Sequence, residues 1–357
     1  MVSGITQPMA TSRHLVYLRT ALLMSAVVLT IAVYLPGLGG DYMFDDMPNL
    51  LENHWLEFET PDFDSLYSAA LSSGSGPLRR PVSMLSFALN RHFFGLNPYS
   101  FKVINLVIHL LTGLALFVLG RMLVRVYRQH HRPELAESVT TWLPLAVTAL
   151  WLVHPLNLSS VLYIVQRMTS LATLFTVCGL CLYVAGRSRM LEGKRGIPLI
   201  LTGLLAGGGL AIFSKETGAL LPVFMFVIEL ALFRFRNAGG HRDNFITGFF
   251  IIVLLIPACL FLWYVTTNPE WITRGYDMRL FTLTERVLTE ARVLVFYLKM
   301  IVMPTTVELG MYHDDIALSH GLLSPPATLL SILALAGLFT GAIALLGRQP
   351  LISLGIL

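Results

Sequence analysis

Hydrophobic positions in this chain run in long blocks separated by short polar stretches. The blocks fall at about 15–36, 103–124, 139–154, 161–185, 197–213, 218–235, 245–266, 287–303 and 327–346. Most approach the roughly 20 residues that a helix needs to cross a hydrocarbon core. Backbone polar groups find no water there, so such segments are helices. The pattern predicts an all-α polytopic membrane protein, with residues 1–357 forming a single helical-bundle domain. No repeat of 20 to 50 residues and no low-complexity tract interrupts it. The first block is longer than the apolar region of a signal peptide and ends in Pro36-Gly37, so it reads as an anchor. The terminal PLISLGIL is apolar like the start of another crossing, which suggests that the natural chain continues.

Charge orients the blocks. The loops near 121–132, 187–195 and 234–242, together with Arg13, Arg19 and Arg348, hold 14 of the 25 basic residues and only four carboxylates. By the positive-inside rule this side is cytoplasmic. The other side holds 11 basic residues and 16 carboxylates. Block 287–303 breaks the alternation. Were it to cross, the acidic VELGMYHDD after it would lie in the cytoplasm and Arg348 outside. We therefore expect about eight crossings, with 287–303 at the outer interface. Two extracytoplasmic loops are long, 37–101 and 267–326. Within the first, RPVSMLSFALNRHFFGLNP has an apolar stripe and reads as an amphipathic helix on the outer leaflet.

Composition narrows the function classes. The chain is 55% hydrophobic and 13% charged, with mean hydropathy +0.69. An ordinary domain is about 25% charged. This excludes a soluble enzyme, a disordered chain and a secreted disulfide scaffold. The net charge of +4 describes membrane topology and does not call for nucleic acid. Cys178, Cys181 and Cys259 all lie in apolar blocks, where cysteine acts as a small buried hydrophobe.

Ionisable residues at membrane boundaries are the chemical candidates, because their cost demands a partner. Asp45 and Asp46 are adjacent, so their side chains diverge: one can face a cavity while the other holds the loop. An exposed acidic loop is the competing reading. Arg79, Arg80, Arg167, Lys215 and Arg292 lie near outer helix ends. Together they suit an anionic ligand such as a lipid phosphate; singly, each could snorkel or pair internally. Lys215 need not pair with its neighbour Glu216, since adjacent helical residues diverge. His154 before Pro155 ends a helix, where an imidazole can cap carbonyls. Tyr312, His313, Asp314 and Asp315 form a polar cluster. With Asp45 or Asp46 it could hold a divalent cation, but no ligand spacing supports this and no metal or other cofactor is expected. A transporter fits less well, since the charges gather at one surface and not at mid-membrane.

Five segments in order, PGLGGDYMFDD, RRPVSMLSFALNRHFFGLNPYSFKVINLVIHLLTG, LWLVHPLNLSSVLYIVQRMTSLATLF, FSKETGALLPVFMFVIEL and ARVLVFYLKMIVMPTTVELGMY, resemble the membrane module of TMTC-type O-mannosyltransferases and their bacterial relatives. These belong to the GT-C superfamily of polyprenyl-phosphate-sugar-dependent glycosyltransferases. The resemblance covers roughly residues 30 to 315. It implies a catalytic base in the first outer loop, with Asp45 the base and Asp46 orienting it or the acceptor. It also implies roles for His154 and Arg167, for Lys215 and Glu216, and for the late Arg292, with Arg80, Arg167, Lys215 and Arg292 on the donor phosphate and Tyr312 and His313 as further site candidates. The implied reaction is inverting transfer of a hexose such as mannose from a polyprenyl-phosphate donor to a hydroxyl of a protein, among membrane lipids. The same chemistry on a glycan or lipid acceptor, or a non-catalytic transporter or assembly subunit, stays open. Tetratricopeptide repeats usual in relatives do not follow the membrane part here. The compact loops lean toward a bacterial inner membrane with the site facing the periplasm; the endoplasmic reticulum is the eukaryotic counterpart.

Overall fold

The computed structural model describes residues 9–310, 313 and 316–357, with side chains from Tyr17 onward. Among these residues the structure is helical, with no sheet. Seven segments are long and apolar enough to cross a membrane: Tyr17–Gly37, Pro98–His130, Ile164–Leu191, Ile197–Ser214, Glu216–Phe233, Asn244–Thr267 and Ala327–Leu345. Val139–Leu152 and Pro155–Leu162, bent by 53°, are long and apolar enough only together, and counted as one broken span they make eight. The bend falls at Pro155, whose missing N–H and ring interrupt the helix. The protein is thus an all-α integral membrane protein, and these segments correspond one for one to the eight expected crossings.

The chain forms two compact units. One contains residues up to Val124 with 135–181 and 205–219; the other contains 125–134, 182–204 and 220–357. In the first unit, α1 (Met9–Tyr34) packs against α5 (Val139–Leu152) and α6 (Leu158–Leu162). The first outer loop supplies α2 (Phe63–Ala70), capped by the Asp62 carboxylate on the Ser65 amide, and α3 (Pro81–Phe94), which starts on the proline that a first helical turn favours. α3 has two faces: Ser83, Met84, Phe87 and Ala88 are fully buried, while Leu89, Phe93 and Phe94 are exposed. Its inner face packs with Leu50, Leu56, Phe101, Ile164 and Met168 in one core, to which α4 (Pro98–His130) and α7 (Arg167–Leu191) contribute.

The Ile197–Ser214 crossing is α8 (Ile197–Thr202) and α9 (Gly208–Ser214), joined by a wide helical turn at Gly203–Gly207. The Glu216–Phe233 crossing contains α10 (Leu221–Ile228) and a second wide turn, Glu229–Phe233. In the second unit follow α11 (Asn244–Phe250), α12 (Ile256–Thr267) and the short α13 (Glu270–Thr273). Next comes α14 (Leu283–Val302), started by a reciprocal cap in which the Thr282 hydroxyl takes the Glu285 amide and the Glu285 carboxylate takes the Thr282 amide. α14 carries Glu285, Arg286, Glu290, Arg292 and Lys299 and is not among the segments apolar enough to cross. It packs on α15 (Ala327–Leu345), which packs on α16 (Pro350–Ile356).

In lipid, helices associate through close packing and not through a hydrophobic drive, so small residues matter. A Cβ on Gly207 would lie 2.8 Å from the Gly179 Cα on α7. We expect Gly207→Leu to force these backbones apart and cost about 1–3 kcal/mol. Gly209→Leu, where a side chain meets nothing within 4 Å, should be near neutral. Thermal unfolding of both variants in detergent checks this.

Candidate active site

The two adjacent acids have different environments. Asp46 is fully buried. Its Oδ1 accepts the Val165 amide at 2.7 Å and its Oδ2 the Met43 amide at 3.0 Å. Burial pushes its carboxyl above the ordinary range, against the pull of these amides and of the Lys102 ammonium. Asp45 is exposed. Its amide donates to the Tyr163 hydroxyl at 3.0 Å. Asp46 therefore holds the loop while Asp45 stays accessible. Phe44, just before them, adopts φ 44°, a left-handed conformation that a bulky residue reaches only under constraint.

A second group forms around the break between α9 and the next crossing. Lys215 Nζ donates to Thr169 Oγ1 at 2.7 Å. Glu216 takes a different partner: Arg80 reaches its carboxylate at 2.9 Å through NH2 and 3.0 Å through Nε. Arg80 NH1 also lies 3.3 Å from the Met168 sulfur. Arg79 and Arg80 have φ of 56° and 48°, two consecutive strained arginines entering α3. The Ser83 hydroxyl donates to the Ser214 carbonyl at 2.9 Å, tying α3 to the Lys215 turn. Gly76, with φ +77°, abuts Glu216 so closely that a Cβ would collide with its carboxylate. Burial and the neighbouring Arg80 cation both lower the proton affinity of Lys215. The group carries two cations, Arg80 and Lys215, against one carboxylate, and Arg79 beside them donates to the Leu71 carbonyl at 3.3 Å; such a surplus of cations suits a phosphate.

One segment joins the two groups. Tyr163 touches Asp45, Val165 holds Asp46, Met168 meets Arg80 and Thr169 meets Lys215. Val165 and Thr169 are four residues apart, about 6 Å of helix, so Asp46 and Lys215 are held by neighbouring turns of one segment. Between these contacts sits Arg167, fully buried. Its Nε donates to Asn105 Oδ1 at 2.7 Å, NH1 to the Ser86 carbonyl at 3.1 Å, and NH2 to Asn90 Oδ1 at 2.7 Å and the Phe101 carbonyl at 2.9 Å. The Phe87 and Phe101 rings cover it at 4.7 and 5.3 Å. Four of its five N–H donors are thus committed to the fold, so Arg167 braces the scaffold at the place where the sequence expects a phosphate ligand.

The remaining expected residues lie elsewhere or do other work. His154 sits at the bend and accepts the Leu156 amide on Nδ1 at 3.3 Å, so it caps the start of the short turn Pro155–Asn157. Arg292, in the second unit, donates to the Ala317 carbonyl at 2.7 Å. His313 packs edge-on to Phe296 at 5.0 Å. Tyr312, Asp314 and Asp315 lie outside the described residues. Among the described residues, no three His, Cys, Asp or Glu side chains converge as a metal site would require.

Sequence reasoning missed Lys102, Asn105 and Tyr42. Lys102 is buried on α4, with Nζ 3.3 Å from the Asp41 carbonyl. A lone lysine in an apolar block was its visible signal. Asn105 also donates to the Val161 and Ile164 carbonyls, both at 3.2 Å. The Tyr42 hydroxyl is buried with no hydrogen-bond partner among the described residues, and burial pushes it up to about 12.

The chain is similar to the protein O-mannosyl-transferase F38B6.6 of Caenorhabditis elegans, 25% identical over 238 residues, which cover 65% of this chain and 31% of that protein. It is 27% identical to the human protein O-mannosyl-transferase TMTC2 over 57% of this chain and 23% of that one. It is 30% identical to the Drosophila melanogaster protein O-mannosyl-transferase Tmtc1 over 53% of this chain and 20% of that one. The match thus spans between a fifth and a third of these relatives' length. No protein-family model and no solved structure matches.

Arg167→Lys keeps the charge but loses the planar fork. It would leave acceptors among Asn90, Asn105, Ser86 and Phe101 without donors, each at about 1–3 kcal/mol. We expect a marked fall in the thermal midpoint in detergent, and loss of function through unfolding of the segment that holds both groups.

Proposed function

We propose that this chain is a GT-C-type membrane glycosyltransferase that transfers a hexose, in the first instance mannose, from a polyprenyl-phosphate donor to a protein hydroxyl. The observation that carries the proposal is the Tyr163–Thr169 segment, which holds the backbone of the exposed acid Asp45 at one end and the Lys215 ammonium at the other. The names of the similar proteins support the same chemistry.

In this reading Asp45 accepts the proton of the acceptor hydroxyl as its oxygen attacks the anomeric carbon. The bond from that carbon to the phosphate oxygen breaks, and polyprenyl phosphate leaves with the bonding pair. Lys215, Arg80 and Arg79 stabilise the charge that develops on it. One displacement inverts the anomeric configuration. Asp46 and Tyr163 keep Asp45 aimed, Glu216 orients Arg80, and His154 shapes the bend before the segment. By the resemblance, Arg292 is a further phosphate contact and Tyr312 and His313 are further site residues. The loops 37–101 and 267–326 face the extracytoplasmic side, and in a bacterial cell this is the periplasm.

Asp45→Asn preserves size and removes the base. We expect transfer of radiolabelled mannose from polyprenyl-phosphate mannose to fall by about 10²–10⁴, with donor binding retained; turnover like the wild type in this variant would remove Asp45 from the chemistry. Lys215 gives a pH signature. Its lowered proton affinity means that its positive charge is lost earlier than in an ordinary lysine as pH rises. Lys215→Arg stays protonated throughout, so the alkaline limb of its pH–rate profile should move to higher pH. An unmoved limb would exclude Lys215 as the titrating cation.

A further inference from the structure

The second unit contains a cavity that the proposed reaction does not use. It has a volume of about 590 Å³ and is lined by His130, His131, Arg132, Arg234, Arg348 and Gln349, with no carboxylate in its wall. The cations come from three parts of the chain. His130, His131 and Arg132 lie at the end of α4, Arg234 follows the wide turn after α10, and Arg348 is in the α15–α16 loop. Ordinary positive-inside topology requires only that basic residues lie on one side. It does not require that they converge on one hollow.

The cavity is built and not accidental. Arg234 holds φ 55°, and its NH2 donates to the Leu346 and Gly347 carbonyls at 3.2 and 3.4 Å, which ties its turn to the loop carrying Arg348. Tyr127 donates to Gln349 Oε1 at 3.4 Å, and His131 Nε2 meets the Leu232 carbonyl at 2.9 Å. Little neutralises the charge. Arg132 has an exposed ion pair with Glu134 at 3.3 Å, a kind of pair that contributes little. Among the described residues, the Arg348 guanidinium makes no hydrogen bond or ion pair. Burial lowers the proton affinity of His131, and the charges of Arg234 and His130 lower it further by repulsion. An anion would relieve that repulsion.

We propose that this cavity is a binding site for a phosphate-bearing anion on the side of the short basic loops, separate from the donor phosphate. Forked guanidiniums match phosphate oxygens, the volume is that of a ligand site, and basic pockets between membrane helices take anionic headgroups. The source is an anionic phospholipid of that leaflet or a soluble polyphosphate, and the chemistry is common to both.

The test uses the full chain in detergent, with binding read by native mass spectrometry. The probes are phosphatidylglycerol, phosphatidylcholine and inorganic pyrophosphate. We expect phosphatidylglycerol to be retained over phosphatidylcholine, and the double variant R132Q/R348Q to weaken that retention by at least about tenfold. The double variant K194Q/R195Q removes the same charge outside this cavity and should bind as the wild type does. Displacement of phosphatidylglycerol by pyrophosphate, lost in R132Q/R348Q, would support the site with a soluble anion as its ligand. Equal weakening in both double variants, or no preference of the wild type for either anionic probe, would overturn the proposal. An unchanged thermal midpoint without lipid confirms that the variants fold.

Discussion

A buried guanidinium organises the first unit. Removing a charge from water costs several kcal/mol even after relaxation, and Arg167 meets no carboxylate in return. Neutral groups carry the compensation: two asparagine oxygens, two backbone carbonyls and two aromatic faces. Those groups lie on α3 and α4, so α7 can start only where both helices present them. The residues on either side of Arg167 then have little freedom. Val165 is committed to Asp46 before it, and Thr169 to Lys215 after it.

The same economy appears wherever charged residues come in pairs. Asp46 is consumed in holding the loop, which leaves Asp45 accessible; Glu216 is consumed by Arg80, which leaves Lys215 on a neutral hydroxyl. One member of each pair fixes the backbone so that the other can be presented. Phe44, Arg79 and Arg80 store left-handed strain beside these residues, and the Tyr42 hydroxyl is buried unsatisfied next to them. Strain and orphaned polar groups persist only where the surroundings over-determine them, and they gather at functional sites.

The second unit treats buried charge differently. Arg187 and Glu229 are both fully buried and joined by two parallel bonds at 2.8 and 2.9 Å. The Tyr183 hydroxyl and the Phe235 amide satisfy the remaining carboxylate capacity, and the Arg236 carbonyl takes another guanidinium proton. Nothing there is left open, as befits a clamp at the end of a crossing. The arginines of the nearby cavity stand in contrast, because their charge is gathered without an opposing carboxylate.

The eight crossings and the exclusion of α14 were legible in the sequence, since apolar length and charge density are local properties that the bilayer reads directly. That Asp45 and Asp46 would diverge was legible too, as was the separation of Lys215 from Glu216. Which member of each pair is free was not. That depends on Val165, 119 residues from Asp46, and on Arg80, 136 residues from Glu216. The true place of Arg167 was hidden for the same reason: an arginine at an apolar boundary looks alike whether it meets a ligand or four acceptors from other helices. Hydrophobic length and the sign of the loops therefore determined, from the sequence alone, what crosses the membrane. Only the tertiary structure decided which charges are consumed by the fold and which remain for chemistry, because that follows from contacts between distant segments.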